Sequence, residues 1–169
     1  MNLLGAKKGI LNFFSVNEKY LSGAFARRTA LFFVSLSFIG FITALYLTVE
    51  HYRGLSVNCI VLSGCDKVLS SIYSEMFGIP VALFGVLYYF FIFSASLFFL
   101  FGNSKKFLIA ALLVTPVGFL ASVWFVALQF FIIKSICFYC MVSAFLSTTL
   151  FLAAGFVLSK LKGKAGKNL

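Results

Sequence analysis

Lys134-Ser135-Ile136-Cys137-Phe138-Tyr139-Cys140-Met141 places a Cys-x-x-Cys pair where a short polar break gives way to a long apolar run, Phe138 to Leu158. Read as a helix, that run carries both thiols in its first turn. There the unpaired backbone N–H groups and the positive end of the helix dipole favour a thiolate. The thiolate is the reactive form, and a Cys-x-x-Cys pair in such a place commonly has a lowered pKa. The rest of the chain has to hold this pair and supply what it reacts with.

Working outward, apolar runs of spanning length surround the motif. With 62% hydrophobic residues, 19% aromatic and a mean hydropathy of +1.08, the 169 residues are far too apolar for a soluble domain. Thr29 to Val49 is free of charge and as long as the roughly 20 residues that cross the hydrocarbon. A polar, mixed segment follows to Phe77. Further spans are expected over residues 79–101, 107–133 and 137–158, with a tight basic loop over 102–106. Pro80 falls in the first turn of the second span, where a missing N–H costs little. Pro116 should kink the third and free the carbonyl of Leu112. The expected fold is an all-α integral membrane protein: a four-transmembrane-helix bundle, redox domain 29–158, in one compact unit. Between Asp66 and Phe77, the apolar residues Val68, Leu69, Ile72, Tyr73 and Met76 recur at helical spacing. This predicts a short amphipathic helix in the first outer loop, capping the bundle.

The net charge of +10 would suggest nucleic acid in a soluble protein; here the charges lie between and beyond the apolar runs and report topology instead. The N-terminal segment 1–28, the 102–106 loop and the tail 159–169 carry five, two and four Lys or Arg, eleven in all, against Arg53, Lys67 and Lys134 on the other side. The positive-inside rule puts both termini in the cytoplasm. The basic N-terminal segment reads as a short helix on the membrane surface, and no cleaved signal peptide is expected. Cys59, Cys65, Cys137 and Cys140 then all fall on the outer, oxidising face.

Four cysteines so placed have three readings. They form structural disulfides, or a tetrahedral thiolate zinc site, or a redox relay in which one pair takes electrons from outside and hands them to the other. A structural disulfide has little reason to use Cys-x-x-Cys at the start of a membrane helix. Zinc sites sit in rigid knuckles, whereas Cys59 follows the flexible-looking Leu55-Ser56-Val57-Asn58. The relay is favoured, with no metal.

The run Cys59-x5-Cys65-Asp66-Lys67-Val68-Leu69-Ser70-Ser71, then Phe77-Gly78-Ile79-Pro80-x-x-x-Phe84-Gly85, then Cys137-x-x-Cys140, resembles the vitamin K epoxide reductase family in its bacterial form. The resemblance covers roughly residues 29 to 158. The disulfide-bond protein B type also has four spans and two cysteine pairs, but carries its Cys-x-x-Cys in the first outer loop. Many bacterial members continue into a fused thioredoxin-like domain. Here the expected electron donor is a separate thioredoxin-like, DsbA-type protein on the outer side.

The resemblance implies a thiol:quinone oxidoreductase of the bacterial cytoplasmic membrane, with ubiquinone or menaquinone as cofactor, that supports disulfide bond formation. It implies that Cys140 attacks the quinone, Cys137 resolves that step, Cys65 exchanges with Cys137, and Cys59 meets the outside partner. Ser71 matches a Ser of the family motif and is expected near the site; a Ser on the wet face of a short helix would look the same. A quinone needs an apolar slot with one or two polar groups. Phe84, Trp124, Phe138, Tyr139 and Met141 are the candidates to line it, although aromatics in a Phe-rich chain are usually packing. Vertebrate members carry an Asn early in the second span and a Tyr one turn after the second cysteine, where this chain has Val81 and Ala144. A backbone group or Gln129 would take over that anchoring, unless Gln129 serves as interhelical glue, the favoured reading. His51, the only histidine, is expected as an interfacial residue at the end of the first span. The alternative from another class is a non-catalytic membrane protein with structural disulfides.

Overall fold

The computed structural model describes residues 23–53, 65–69, 71–76, 78–102 and 105–166. The expected surface helix falls, up to residue 22, outside them, and so does Cys59. The elements are α1 (Ala24–Arg53), α2 (Cys65–Leu69), a 3₁₀ turn (Ile72–Ser74), β1 (Glu75–Met76), β2 (Ile79–Pro80), α3 (Val81–Gly102), α4 (Lys105–Ala127), a π turn continuing it (Leu128–Ile133), and α5 (Phe138–Gly166).

Among the described residues, four segments are long and apolar enough to cross a membrane: Ala24–Arg53, Val81–Gly102, Lys106–Ile133 and Phe138–Lys160. Short links make the second, third and fourth spans antiparallel neighbours, whereas the long segment carrying the cap joins the first span to the second. Helix α1 packs on α3, α3 on α4 and α4 on α5, and α1 closes the ring against α5. Phe33, Tyr89, Ile92, Leu108, Leu112 and Leu150 fill the centre and are almost wholly buried. The outward faces remain apolar, as Phe101 and Phe131 show at 85% and 80% exposure. A bilayer explains an inside and an outside that are equally greasy. The first helix starts at Ala24 rather than at 29, so Arg27 and Arg28 occupy its first turns.

Pro116 lies inside α4. The carbonyl of Leu112 does not stay orphaned, because the buried Thr115 hydroxyl donates to it at 2.8 Å. Neighbouring Ser and Thr side chains commonly repair such gaps inside a bilayer. Close approach of α1 and α3 depends on Gly40, where an added Cβ would stand 2.5 Å from the Tyr89 ring. Tyr89 has nowhere to retreat: it is buried, and its hydroxyl donates to the Ser143 carbonyl at 2.8 Å. Gly40→Ala should therefore cost about 1–3 kcal/mol by overpacking, read as a lower unfolding midpoint in detergent.

The cap differs from the single helix expected over 66–77. Ser71 gives both its N–H (3.3 Å) and its hydroxyl (2.7 Å) to the Val68 carbonyl. Ser74 does the same to the Ser71 carbonyl, at 2.9 and 2.7 Å. These local bonds offer the backbone an alternative to helix continuation. Gly78, at φ 75°, then turns the chain so that Glu75 pairs with Pro80 and Met76 with Ile79. Pro80 thus sits in β2, just ahead of α3, and not in its first turn. The cap is tied to the end of α1 by His51 Nε2 and Glu75 Oε1, 3.0 Å apart.

Candidate functional site

The Cys-x-x-Cys motif is positioned by the break between α4 and α5. The π turn ends at Lys134, which takes a left-handed conformation (φ 51°, ψ 37°), and its N–H donates to the Gln129 carbonyl. The Ser135 N–H donates to the same carbonyl at 3.2 Å. The side chain of Gln129 is buried, and its Oε1 accepts the Cys137 N–H at 2.8 Å. One residue therefore fixes both ends of the four-residue link. This bond joins the end of the third span to the start of the fourth, in line with the glue expected of Gln129.

Cys137 stands immediately before α5, and the first helical bond runs from the Met141 N–H to the Cys137 carbonyl at 3.1 Å. It is thus the N-cap and not, as expected from sequence, a first-turn residue. Its thiol is fully buried. A hydrogen bond from the Cys140 side chain pulls its pKa down to about 7; burial opposes this, and the Cys140 and Tyr139 N–H groups add to the lowering. A thiolate at an N-cap accepts the donors that an N-cap oxygen ordinarily accepts.

The two thiols of the motif share one contact but differ in access to the cavity. Cys137 packs in one buried cluster with Cys65 and Val68, against Leu69, Ile133, Tyr139 and Cys140. Cys65 opens α2 and is disulfide-bonded, whereas Cys137 and Cys140 are free. Cys140 lines a cavity of about 260 Å³ between the cap and the four spans, with a largely apolar wall. In size it stands just below the roughly 300 Å³ at which small-molecule sites usually begin.

Of the residues singled out in the sequence, Phe84, Ser71, Gln129 and His51 lie on the cavity wall, as do Val81 and Ala144. Tyr139 is not on that wall; its ring leans on that of Tyr46, with centroids 5.2 Å apart, and packs against the Cys65–Cys137 cluster. Trp124 is 65% exposed on the outside of the bundle and away from the cavity, as is Phe138 at 41%. Met141 is half-buried and also absent from the wall. Sequence reasoning passed over Tyr88, Tyr89 and Ser143, which line the cavity. Seven tyrosines among 24 phenylalanines gave no signal for which of them face inward.

No curated protein sequence matches the chain. The family model described as "Vitamin K epoxide reductase family" matches residues 31–154, most of the chain and all four spans.

Proposed function

This chain belongs to the vitamin K epoxide reductase family and is a multi-pass membrane oxidoreductase, and from that premise we propose a quinone-dependent disulfide relay. In this reading a thioredoxin-like, DsbA-type protein outside the bacterial cytoplasmic membrane delivers two electrons. Its dithiol is oxidised to a disulfide while a Cys59–Cys65 disulfide is reduced to two thiols. The Cys65 thiolate then attacks Cys137 of an oxidised Cys137–Cys140 pair, and Cys140 leaves. Attack of Cys59 on Cys65 releases Cys137 and restores the outer disulfide. The inner pair now holds the two electrons and two protons. A bound quinone supplies the terminal acceptor, taking up both and returning the inner pair to its disulfide.

The observation that carries this reading is the placement of the motif: Cys137 packs with Cys65, and Cys140, at the edge of the same cluster, is the one of the pair that lines the cavity. The pKa of Cys137 supports the exchange step, because a thiol of lowered pKa leaves faster from a mixed disulfide. The cavity suits a quinone head-group, an apolar ring with two acceptor oxygens: its wall is mostly apolar, and the buried Tyr88 hydroxyl has no partner among the described residues. Energetics favour a quinone too, since reoxidising a partner near roughly −120 mV needs a stronger acceptor. The eleven-to-three basic asymmetry supports placing the cysteines on the outer face, with both termini in the cytoplasm.

The test is purified protein in detergent with an excess of dithiol and a short-chain quinone. Catalytic quinone reduction is expected. A non-catalytic membrane protein with structural disulfides would leave the quinone oxidised beyond the uncatalysed rate.

A further inference from the structure

The cavity wall carries many hydroxyls, but almost all are already committed. Ser71 donates to the Val68 carbonyl and Ser74 to that of Ser71. Ser122 and Ser147 share a bond of 2.6 Å. Tyr89 is bound to Ser143, both to its carbonyl and to its hydroxyl at 3.0 Å. Tyr73 is 46% exposed, where solvent can serve it. Tyr88 is the exception among these wall hydroxyls: its oxygen is buried and has no hydrogen-bond partner among the described residues.

A buried hydroxyl without a partner is costly, and native structures rarely keep one without a reason. A phenylalanine at position 88 would fill the same space at no such cost. The ring is also held firmly. Its hydroxyl end rests on Gly118 of α4, in space that any Cβ there would occupy, and its edge meets the Tyr89 ring with centroids 5.0 Å apart. The ring and its oxygen are therefore held in place before any ligand arrives, with the O–H free to rotate toward an acceptor. Tyr88 sits two turns into α3, whereas Cys140 is in the first turn of α5, so the two mark different depths of one cavity.

We propose that the Tyr88 hydroxyl donates a hydrogen bond to one carbonyl of the quinone and so sets the orientation in which the ring meets Cys140. This rests on the quinone reading above and adds a specificity-determining residue to it. It also accounts for how a chain with Val81 and Ala144 on the cavity wall still offers the ligand a polar anchor.

The experiment compares the full-length wild type with Tyr88→Phe, both purified in detergent, using a short-chain quinone labelled with ¹³C at its carbonyls. Affinity should fall roughly five- to twentyfold, as loss of one buried hydrogen bond implies. The infrared band of the bonded carbonyl should move to the frequency of a free one. Without quinone, the variant should unfold at the same temperature as the wild type or higher, because only an unsatisfied oxygen has been removed. Equal affinity with an unmoved carbonyl band overturns the proposal and leaves the quinone reading standing. A lower unfolding temperature without quinone also overturns it, since the hydroxyl would then serve the fold. If the wild type itself binds no quinone in the same titration, the functional reading fails and this proposal with it.

Discussion

Replacing Cys140 with alanine should raise the pH midpoint of Cys137 alkylation from about 7 to its ordinary value of 9.0 or above. The largest influence holding Cys137 down is the hydrogen bond from Cys140; with it gone, burial works against the thiolate and only the two backbone N–H groups oppose it. The sign is that of a lowered acid pKa: the thiolate persists in the wild type as pH falls to about 7, and in the variant it is lost already below about 9. At pH 7.5 the thiolate fraction drops from about 75% to about 3%. A rate at one pH would understate this. Per thiolate, the less acidic sulfur is about sixfold to tenfold more nucleophilic, which leaves a net fall of only about threefold. The midpoint is therefore the quantity to measure, with a small uncharged reagent because Cys137 is buried. Dithiol-driven quinone reduction should fall by at least ~10³-fold in the same variant. A midpoint that stays near 7 would show that the helix end, and not Cys140, governs the thiol.

The second large effect concerns the donor. In a Cys65→Ser protein, Cys59 has no thiol beside it to resolve a mixed disulfide. Offered the proposed thioredoxin-like partner with its second active-site cysteine replaced and its first activated as a mixed disulfide with a small thiol, the Cys59 thiolate should displace that small thiol, and the Cys59–partner disulfide should accumulate to near completion on a non-reducing gel. The wild type should show almost none, because thiol–disulfide exchange clears the intermediate. Trapping through Cys65 in a Cys59→Ser protein, with none through Cys59, would reverse the order of the relay. That order has a structural motive: Cys65 is packed against Cys137 beneath the cap, which leaves it badly placed to greet a soluble protein.

The spans were legible because length and charge distribution alone define a crossing, and the Cys-x-x-Cys because a polar break beside an apolar run marks a helix start. The cap was read less well. Helical periodicity over 66–77 is real, yet Ser71 and Ser74 bond to carbonyls that a continuing helix would need, and Gly78 turns the chain. The π turn left no trace in the sequence, since Leu128 to Ile133 is as apolar as what precedes it, apart from Gln129. Trp124 was misjudged for a reason peculiar to membranes: lipid and cavity both welcome an aromatic ring, so composition cannot say which side it faces. Tyr88 escaped for the converse reason, since an unpartnered hydroxyl is visible only once every neighbour is in place.

Burial of the Cys65–Cys137 cluster has a kinetic corollary. Cys65 is 1% exposed and Cys137 not at all. A small soluble thiol, however abundant and however favourable its potential, meets hydrophobic side chains and the cap before it meets either sulfur. Exchange rates depend on access as well as on driving force. In the proposed relay, direct exchange at these two sulfurs would therefore be slow, and a donor would enter through Cys59 instead.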